Sequence, residues 1–356
     1  METIDEIIRR AKESRASDVH IVRDIPVRIR VDGVLRNLND QILTAADTEQ
    51  YARELAGDGL EKIAVIGELD FSRTLAGVRC RMNVFRQQGA FSCAVRLLSD
   101  EIPEMESLGL PPVVADFPDY PRGIVLVTGE TGSGKSTTLA SILNRINHTR
   151  RDHIITFEDP IEYIYTPDQC VINQREIGTD TESFSGGLRA ALREDPDVML
   201  VGEMRDLATI ETALTAAETG HLVFATVHTN SAPDTIDRIV DVFPEARQRQ
   251  IRVQLSLTLR AVLSQQLLPR REGAGRVAAC EVMIVNPAIR NLIREGKTPQ
   301  IANALLTSAL EGSISMDNCL IRMARERLIS PETAVAAAHD SVYLRKSISF
   351  GGRAET

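Results

Sequence analysis

The chain has 356 residues, of which 43% are hydrophobic and 26% charged, and its net charge is -9. That length suggests two domains of about 150 residues, and the composition is globular rather than disordered. The acid balance argues against a protein built to coat nucleic acid, and no run approaches the roughly 18 apolar residues of a membrane span.

The start, Met1-Glu2-Thr3-Ile4-Asp5-Glu6, is acidic where a secretion signal is basic and then apolar. A cytoplasmic chain that meets a membrane only through partners is therefore expected. Ile4, Ile7, Ile8 and Ala11 repeat at helical spacing and predict an amphipathic helix over residues 3–13. Val19 to Ile21 and Val27 to Val31 alternate as half-buried strands do. Asp32-Gly33 follows as a hairpin signal, with a return at Val34 to Leu38. Further strands are expected at Val78 to Phe85 and Phe91 to Leu98, with Arg79, Arg81, Arg86 and Arg96 on the polar face. These elements make residues 1–98 a small α+β domain.

Pro103, Pro111, Pro112, Pro118 and Pro121 punctuate residues 99–122, which predicts an extended linker and a domain boundary. From Gly123 to about residue 245 strands and helices alternate, which predicts a parallel sheet flanked by helices. Ile124 to Val127, Ile154 to Phe157, Val198 to Val201 and Leu222 to Val227 are apolar runs suited to buried parallel strands. Asp206 is a helix cap. Beyond 245 the pattern is mostly helical, with Ile251, Leu255, Leu259, Val262 and Leu263 in one long stripe. The second domain thus runs over 123–345, and 346–356, with Gly351-Gly352, is expected to fray. Cys80, Cys93, Cys170, Cys280 and Cys319 are odd in number and form no CxxC, so buried free thiols are expected. Tryptophan is absent and aromatics are 4%, which poorly supplies a base-stacking platform.

The sharpest signal is Gly129-Glu130-Thr131-Gly132-Ser133-Gly134-Lys135-Ser136, a complete G-x-x-x-x-G-K-[ST] followed by Thr137. Such a loop turns backbone amides onto phosphate oxygens. Lys135 reaches the β- and γ-phosphates, Ser136 ligates Mg²⁺, and the next helix offers its positive end. A chance match somewhere in such a chain has odds of about one in a hundred. A strand before it and an amphipathic helix after it are the context that the motif requires.

Three more strand ends carry polar groups. Val198-Met199-Leu200-Val201-Gly202-Glu203 puts an acid at the carboxyl end of a buried strand, where open α/β sheets bind ligands. Many phosphate-loop enzymes have an Asp where this chain has Gly202, so Glu203 is left to orient and activate water. Glu158-Asp159 ends a second strand at Pro160. His228 ends a third, placed to sense the γ-phosphate. His221 lies at the opposite end of that strand, about 20 Å away if it is straight, which suits a structural role or a subunit edge.

Together these motifs resemble the secretion-type hexameric ATPases of type II secretion and type IV pili. Gly129 to Ser136 matches the family's Walker A loop, and Ile155 to Tyr163 its Asp box. Leu192 to Asp206 matches its atypical Walker B, and Thr219 to Asn230 its His box. Ala16 to His20 and Ile29 to Gly33 match as well, so the likeness spans nearly the whole chain. Gly for Asp before Glu203 is a trait of the family. Glu130 replaces the proline of its common loop, with little consequence expected.

Ala288-Ile289-Arg290-Asn291-Leu292-Ile293-Arg294-Glu295 is similar to the C-terminal motif of the pilus-retraction branch. The short N-terminus and the lack of a tetracysteine zinc motif point the same way. The resemblance implies a RecA-like ATPase domain behind a PAS-like α+β domain, and a homohexamer that hydrolyses ATP with Mg²⁺. It implies that Lys135, Glu203, Glu158 and His228 form the catalytic set, and that Arg79, Arg81 and Arg96 swing onto the γ-phosphate as the proline-rich hinge closes. It further implies an inner-membrane platform protein as partner, no nucleic acid, and a retraction-specific surface at Ala288 to Glu295. An extension or secretion ATPase of the same family, a RecA-like nucleic-acid translocase and a non-hydrolysing scaffold are the alternatives.

Overall fold

In the computed structural model, which describes residues 2–351 apart from 32, 99, 100 and 274, the chain divides into two units. One comprises Met1–Ile102 with Pro160–Ile164, the other Pro103–Asp159 with Tyr165–Thr356.

In the first unit, Thr3 and Glu6 close a capping box that starts α1 (Ile4–Glu13), whose buried face is Ile4, Ile7, Ile8 and Ala11. There follow β1 (Asp18–Ile21), β2 (Arg28–Val31), β3 (Val34–Asn37), α2 (Ala45–Ala56), α3 (Leu60–Ile66), β4 (Glu68–Leu75), β5 (Val78–Gln87) and β6 (Ala90–Leu97). The strands form one antiparallel sheet in the order β3-β2-β1-β6-β5-β4. β2 and β3 pair as the hairpin signal predicts, although Asp32 lies outside the described residues. One face of the sheet buries Val19, Cys80, Met82, Val84 and Val95 against α1 and α2. α2, α3 and β4 are elements that the sequence pattern does not announce.

The second unit contains β7 (Gly123–Thr128), α4 (Lys135–Thr149), β8 (His153–Glu158), β9 (Val171–Glu176), α5 (Phe184–Ala191), β10 (Val198–Val201) and α6 (Leu207–Glu218). It continues with β11 (Leu222–Val227), α7 (Ala232–Asp241), α8 (Glu245–Thr258), β12 (Leu259–Pro269), β13 (Arg276–Ile284) and α9 (Pro287–Glu295). It ends with α10 (Ile301–Thr307), α11 (Met316–Arg325), α12 (Pro331–Ala337) and α13 (Ser341–Gly351). Its sheet has the order β13-β12-β7-β11-β10-β8-β9. β12 through β9 are parallel and only β13 runs against its neighbour. Every residue of β7, β10 and β11 is buried, as helices on both faces of a parallel sheet demand. This is a RecA-like layered arrangement with the phosphate loop between β7 and α4.

Three expectations are corrected. The proline-rich stretch is not an extended linker. Met105–Leu108 and Pro112–Asp119 form short 3-10 helices with Met105, Val114, Phe117 and Pro118 buried. They are tied to α4 by hydrogen bonds from Ser141 Oγ to the Pro103 carbonyl (2.6 Å) and from Arg150 to the Pro118 carbonyl (2.7 Å). Proline suits the first turn of such helices, where its missing N–H costs nothing.

The apolar stripe from Ile251 to Leu263 is not one helix either. The helix stops at Thr258, and Leu259 turns extended. Ala261 to Ser264 then pair with Val125 to Thr128 of β7, so sheet pairing overrides a pattern that still looks helical. Finally, α13 carries the chain as helix to residue 351, so the fraying expected from 346 does not occur there; residues 352–356 lie outside the described residues. All five cysteines are free and buried, as expected.

Candidate nucleotide-binding and catalytic site

The phosphate loop leaves the carboxyl end of β7, where Thr128 Oγ1 bonds Ser264 Oγ of β12 at 2.9 Å. Gly129 has φ +142°, and a Cβ there would lie 2.4 Å from the Gln265 carbonyl and 2.5 Å from Ser133 Oγ. No other residue fits that turn. α4 begins behind Gly134, whose left-handed backbone supplies no side-chain cap. The N-terminal end of α4 therefore faces the loop without a competing side chain, as an anion site needs. Ser133 Oγ is buried without a hydrogen-bond partner. These features fit a bound phosphate. Lys135 is only 8% exposed, and its ammonium donates to the carbonyls of Gly129 (2.7 Å) and Glu130 (2.8 Å). Ser136 and Thr131 are exposed, and Thr137 is half-buried.

β7, β11, β10 and β8 are consecutive neighbours in the sheet, so their carboxyl ends form one edge. Thr128 pairs with Val227, Ala225 with Val201, and Val201 with Phe157. Gly129, His228, Glu203 and Glu158 therefore emerge side by side. Glu203 has a side chain 15% exposed; its Oε2 accepts Arg205 Nε at 2.6 Å and lies 3.4 Å from His228 Nε2. Glu158 accepts hydrogen bonds from Thr156 Oγ1 (2.7 Å) and Gln174 Nε2 (3.3 Å). Asp159 is exposed.

Gly202, which precedes Glu203, stands where a side chain would be crowded. A Cβ on Gly202 would lie 3.0 Å from the Phe157 carbonyl and 3.3 Å from Glu158 Cα. Gly202 is clamped there by its N–H to Phe157 O (2.8 Å) and by Thr226 Oγ1, which donates to its carbonyl.

His221 stands before β11, at the end remote from His228. Its Nδ1 contacts the Ala216 carbonyl (2.9 Å) and Thr219 Oγ1 (3.3 Å), which closes the end of α6. Arg79, Arg81 and Arg96 belong to the first unit. Arg81 and Arg96 are cross-strand partners on β5 and β6. Arg79 Nε donates to the Ile161 carbonyl at 3.3 Å, and Arg96 pairs with Asp18 at 3.0 Å.

Sequence reasoning gave no role to Arg205, Thr226 or Gln174, which hold Glu203, Gly202 and Glu158. Only Arg205, two residues beyond the candidate base, carried a local signal. Glu130 is exposed, and its Oε1 lies 3.5 Å from Asn230 Nδ2 in the segment after β11.

The segment Ala288 to Glu295 lies in α9, capped by Asn286 and stopped by Gly296. It is only partly a surface. Ile289 and Ile293 are fully buried in the main core and Leu292 packs against it, whereas Ala288, Arg294 and Glu295 are exposed. Buried isoleucines at i and i+4 are the apolar face of an amphipathic helix.

The family model described as Type II/IV secretion system protein matches residues 1–318. A Pseudomonas aeruginosa protein named "Type IV pilus retractation ATPase PilT" is 47% identical over 333 residues, covering 93% of this chain and 96% of that one. A Neisseria gonorrhoeae "Twitching motility protein" is 47% identical over 324 residues, covering 90% and 86%. The solved structure titled "Crystal Structure of the Pilus Retraction Motor PilT and Bound ADP" superposes with a TM-score of 0.91 at 47% identity, covering 97% of this chain and all of that one.

Proposed function

The chain belongs to the Type II/IV secretion system protein family, and on that premise we propose that it is an ATP-hydrolysing motor that powers type IV pilus retraction. The observation that carries the reading is the complete phosphate loop beside Glu203 and His228 on one sheet edge. It stands in a chain 47% identical, over nearly its full length, to proteins named for retraction and twitching.

ATP binds with its phosphates in the loop, and the Lys135 ammonium exchanges two carbonyls for phosphate oxygens. Glu203 orients the attacking water and draws on its proton. Arg205 and His228 flank its carboxylate and fix its orientation toward that water. Glu158, fixed by Thr156 and Gln174, borders the same space. Ser136 is the residue that would hold Mg²⁺, whose charge screens the phosphates. The role of Arg79, Arg81 and Arg96 at the γ-phosphate is supported by the family resemblance.

A homohexamer working on an inner-membrane platform protein from the cytoplasmic side completes the reading. Among the described residues no helix is long and apolar enough to cross a membrane. Deleting the gene in its own host tests the assignment: cells that keep or gain pili yet stop twitching support it. Cells that lose their pili would make the chain an extension ATPase.

A further inference from the structure

Far from the phosphate loop, the amino-terminal edge of the large sheet gathers three arginines. Arg122 precedes β7, Arg260 is the second residue of β12, and Arg290 lies in the first turns of α9. The Arg260 side chain crosses Gly123, where a Cβ would approach its Nε to 2.6 Å, and that Nε donates to the Arg122 carbonyl at 2.9 Å. The Arg260 carbonyl accepts Val285 N–H (2.9 Å), which brings the start of α9 alongside. Arg290 Nε is buried without a hydrogen-bond partner. Among the described residues none of the three forms an ion pair. Asp116, which acts on the neighbouring Tyr120 hydroxyl, is exposed and pairs with none of them. Burial first, then the charges of Arg290 and Arg122, hold the Arg260 guanidinium below its ordinary range.

The basic character continues along α9. Arg294 lies one turn beyond Arg290, on the same side of the helix. It borders a cavity of about 710 Å³ against α8, together with Arg249, Arg252 and Lys297 and the acids Glu245 and Glu295. Lys297 is paired with Glu295 (2.7 Å), and Arg252 contacts Asp237 at 3.6 Å. Arg249 and Arg294 make no ion pair among the described residues. Val253 and Leu257 on α8 are 38% and 53% exposed.

We propose that this strip, from Arg122, Arg260 and Arg290 along α9 to Arg294, is the docking site for an acidic segment of a partner protein. Unpaired guanidiniums held together repel one another, and carboxylate forks relieve that repulsion while filling the donors. Arginine beside exposed aliphatic side chains is also the composition of protein interfaces. Glu245 and Glu295 at the rim work against a uniformly anionic membrane. The proposal rests on the retraction reading where it uses the exposed side of α9, and deepens it by adding Arg122 and Arg260 and by giving the occupant an acidic chemistry.

The test is an anisotropy titration of the full chain with fluorescein-labelled hexaglutamate at low salt, in the wild type and in Arg260→Gln and Arg290→Gln. The expected result is binding that each substitution weakens by roughly tenfold, with a shallower dependence on salt. The melting temperature should hold or rise in Arg290→Gln, whose Nε has no hydrogen-bond partner to lose and whose repulsive charge is gone, whereas loss of a merely structural arginine would lower it. Should a Gln variant unfold, Arg290→Lys keeps the charge without the fork and should lie between wild type and Gln.

Equal affinity in wild type and variants, or no peptide binding at all, overturns the proposal. So does arginine-dependent binding to phosphatidylglycerol vesicles without peptide binding, or competition by inorganic phosphate as strong as by peptide. Dissociation of the oligomer by the substitutions, seen by sedimentation, would instead make the strip a contact between copies of this chain. Because no pilus enters the titration, its outcome is independent of whether the chain retracts pili.

Discussion

At the carboxyl ends of the parallel strands each reactive side chain already rests on another group. Lys135 is held by two carbonyls, Glu203 by Arg205 and His228, and Glu158 by Thr156 and Gln174. At the amino-terminal edge of the same sheet, Arg122, Arg260 and Arg290 sit together with no carboxylate among the described residues to pair them. One edge holds its candidate residues on internal partners, which in the proposed mechanism a substrate would displace. The other edge has no carboxylate partner among the described residues. On the proposed readings, charge placement rather than fold separates a site of chemistry from a surface of recognition.

The comparison breaks most visibly at Lys135. Lys135→Ala removes the one buried ammonium of the loop and should cut nucleotide affinity and lower kcat by about 10²–10³-fold, read by phosphate release and by ADP titration. Retained turnover would mean that the carboxyl edge is not the site of chemistry.

α9 sharpens the contrast between core and surface within a single motif. Ile293→Ala should destabilise the fold by about 2–5 kcal/mol in denaturant unfolding, whereas Arg294→Ala should stay within about 0.5 kcal/mol. Equal effects would remove the division of that helix into two faces. Gly202→Asp, which restores the acid found in many phosphate-loop enzymes, should cost about 1–3 kcal/mol from crowding against the Phe157 carbonyl. A variant as stable as the wild type would show that sterics do not exclude an acid there.

The smallest effect concerns Glu281, a buried carboxylate on β13. It accepts N–H groups from Ala232 at the start of α7 (2.8 Å) and Met316 at the start of α11 (3.3 Å), with His339 nearby. Burial, outweighing these bonds, holds its carboxyl above the usual range. The folded chain therefore keeps this proton to higher pH than the unfolded chain. The stability that Glu281 contributes is full below an ordinary glutamate pKa of about 4.3 and falls as pH rises through the raised folded value. The difference in unfolding free energy between wild type and Glu281→Gln should decline across that window. A flat difference would contradict the raised value.

Much of the site was legible because the phosphate loop is contiguous, so eight residues carry both the turn and its chemistry. Glu203, Glu158 and His228 were legible because each follows a short apolar run, and parallel strands of that kind put their next residue at the ligand edge. What escaped was set by contacts distant in sequence. β12 continues a helical stripe and becomes a strand because β7 and β13 offer partners on either side. Pro112 and Pro118 fall within a 3-10 helix rather than an extended linker because that segment packs on α4. The partners of Glu158 and Gly202 come from β9 and β11, which no local pattern ties to them. Ile293 looked like a surface residue while its motif was read as a unit, and the burial of every fourth residue corrects that.

The account rests on Glu203 activating water at an otherwise complete nucleotide site. Its most direct test is phosphate release by wild type and Glu203→Gln at saturating ATP and Mg²⁺, with ATP affinity measured in parallel. Wild-type affinity with turnover lowered by about 10²–10⁴-fold is the expected result, and turnover at the wild-type rate would contradict the mechanism.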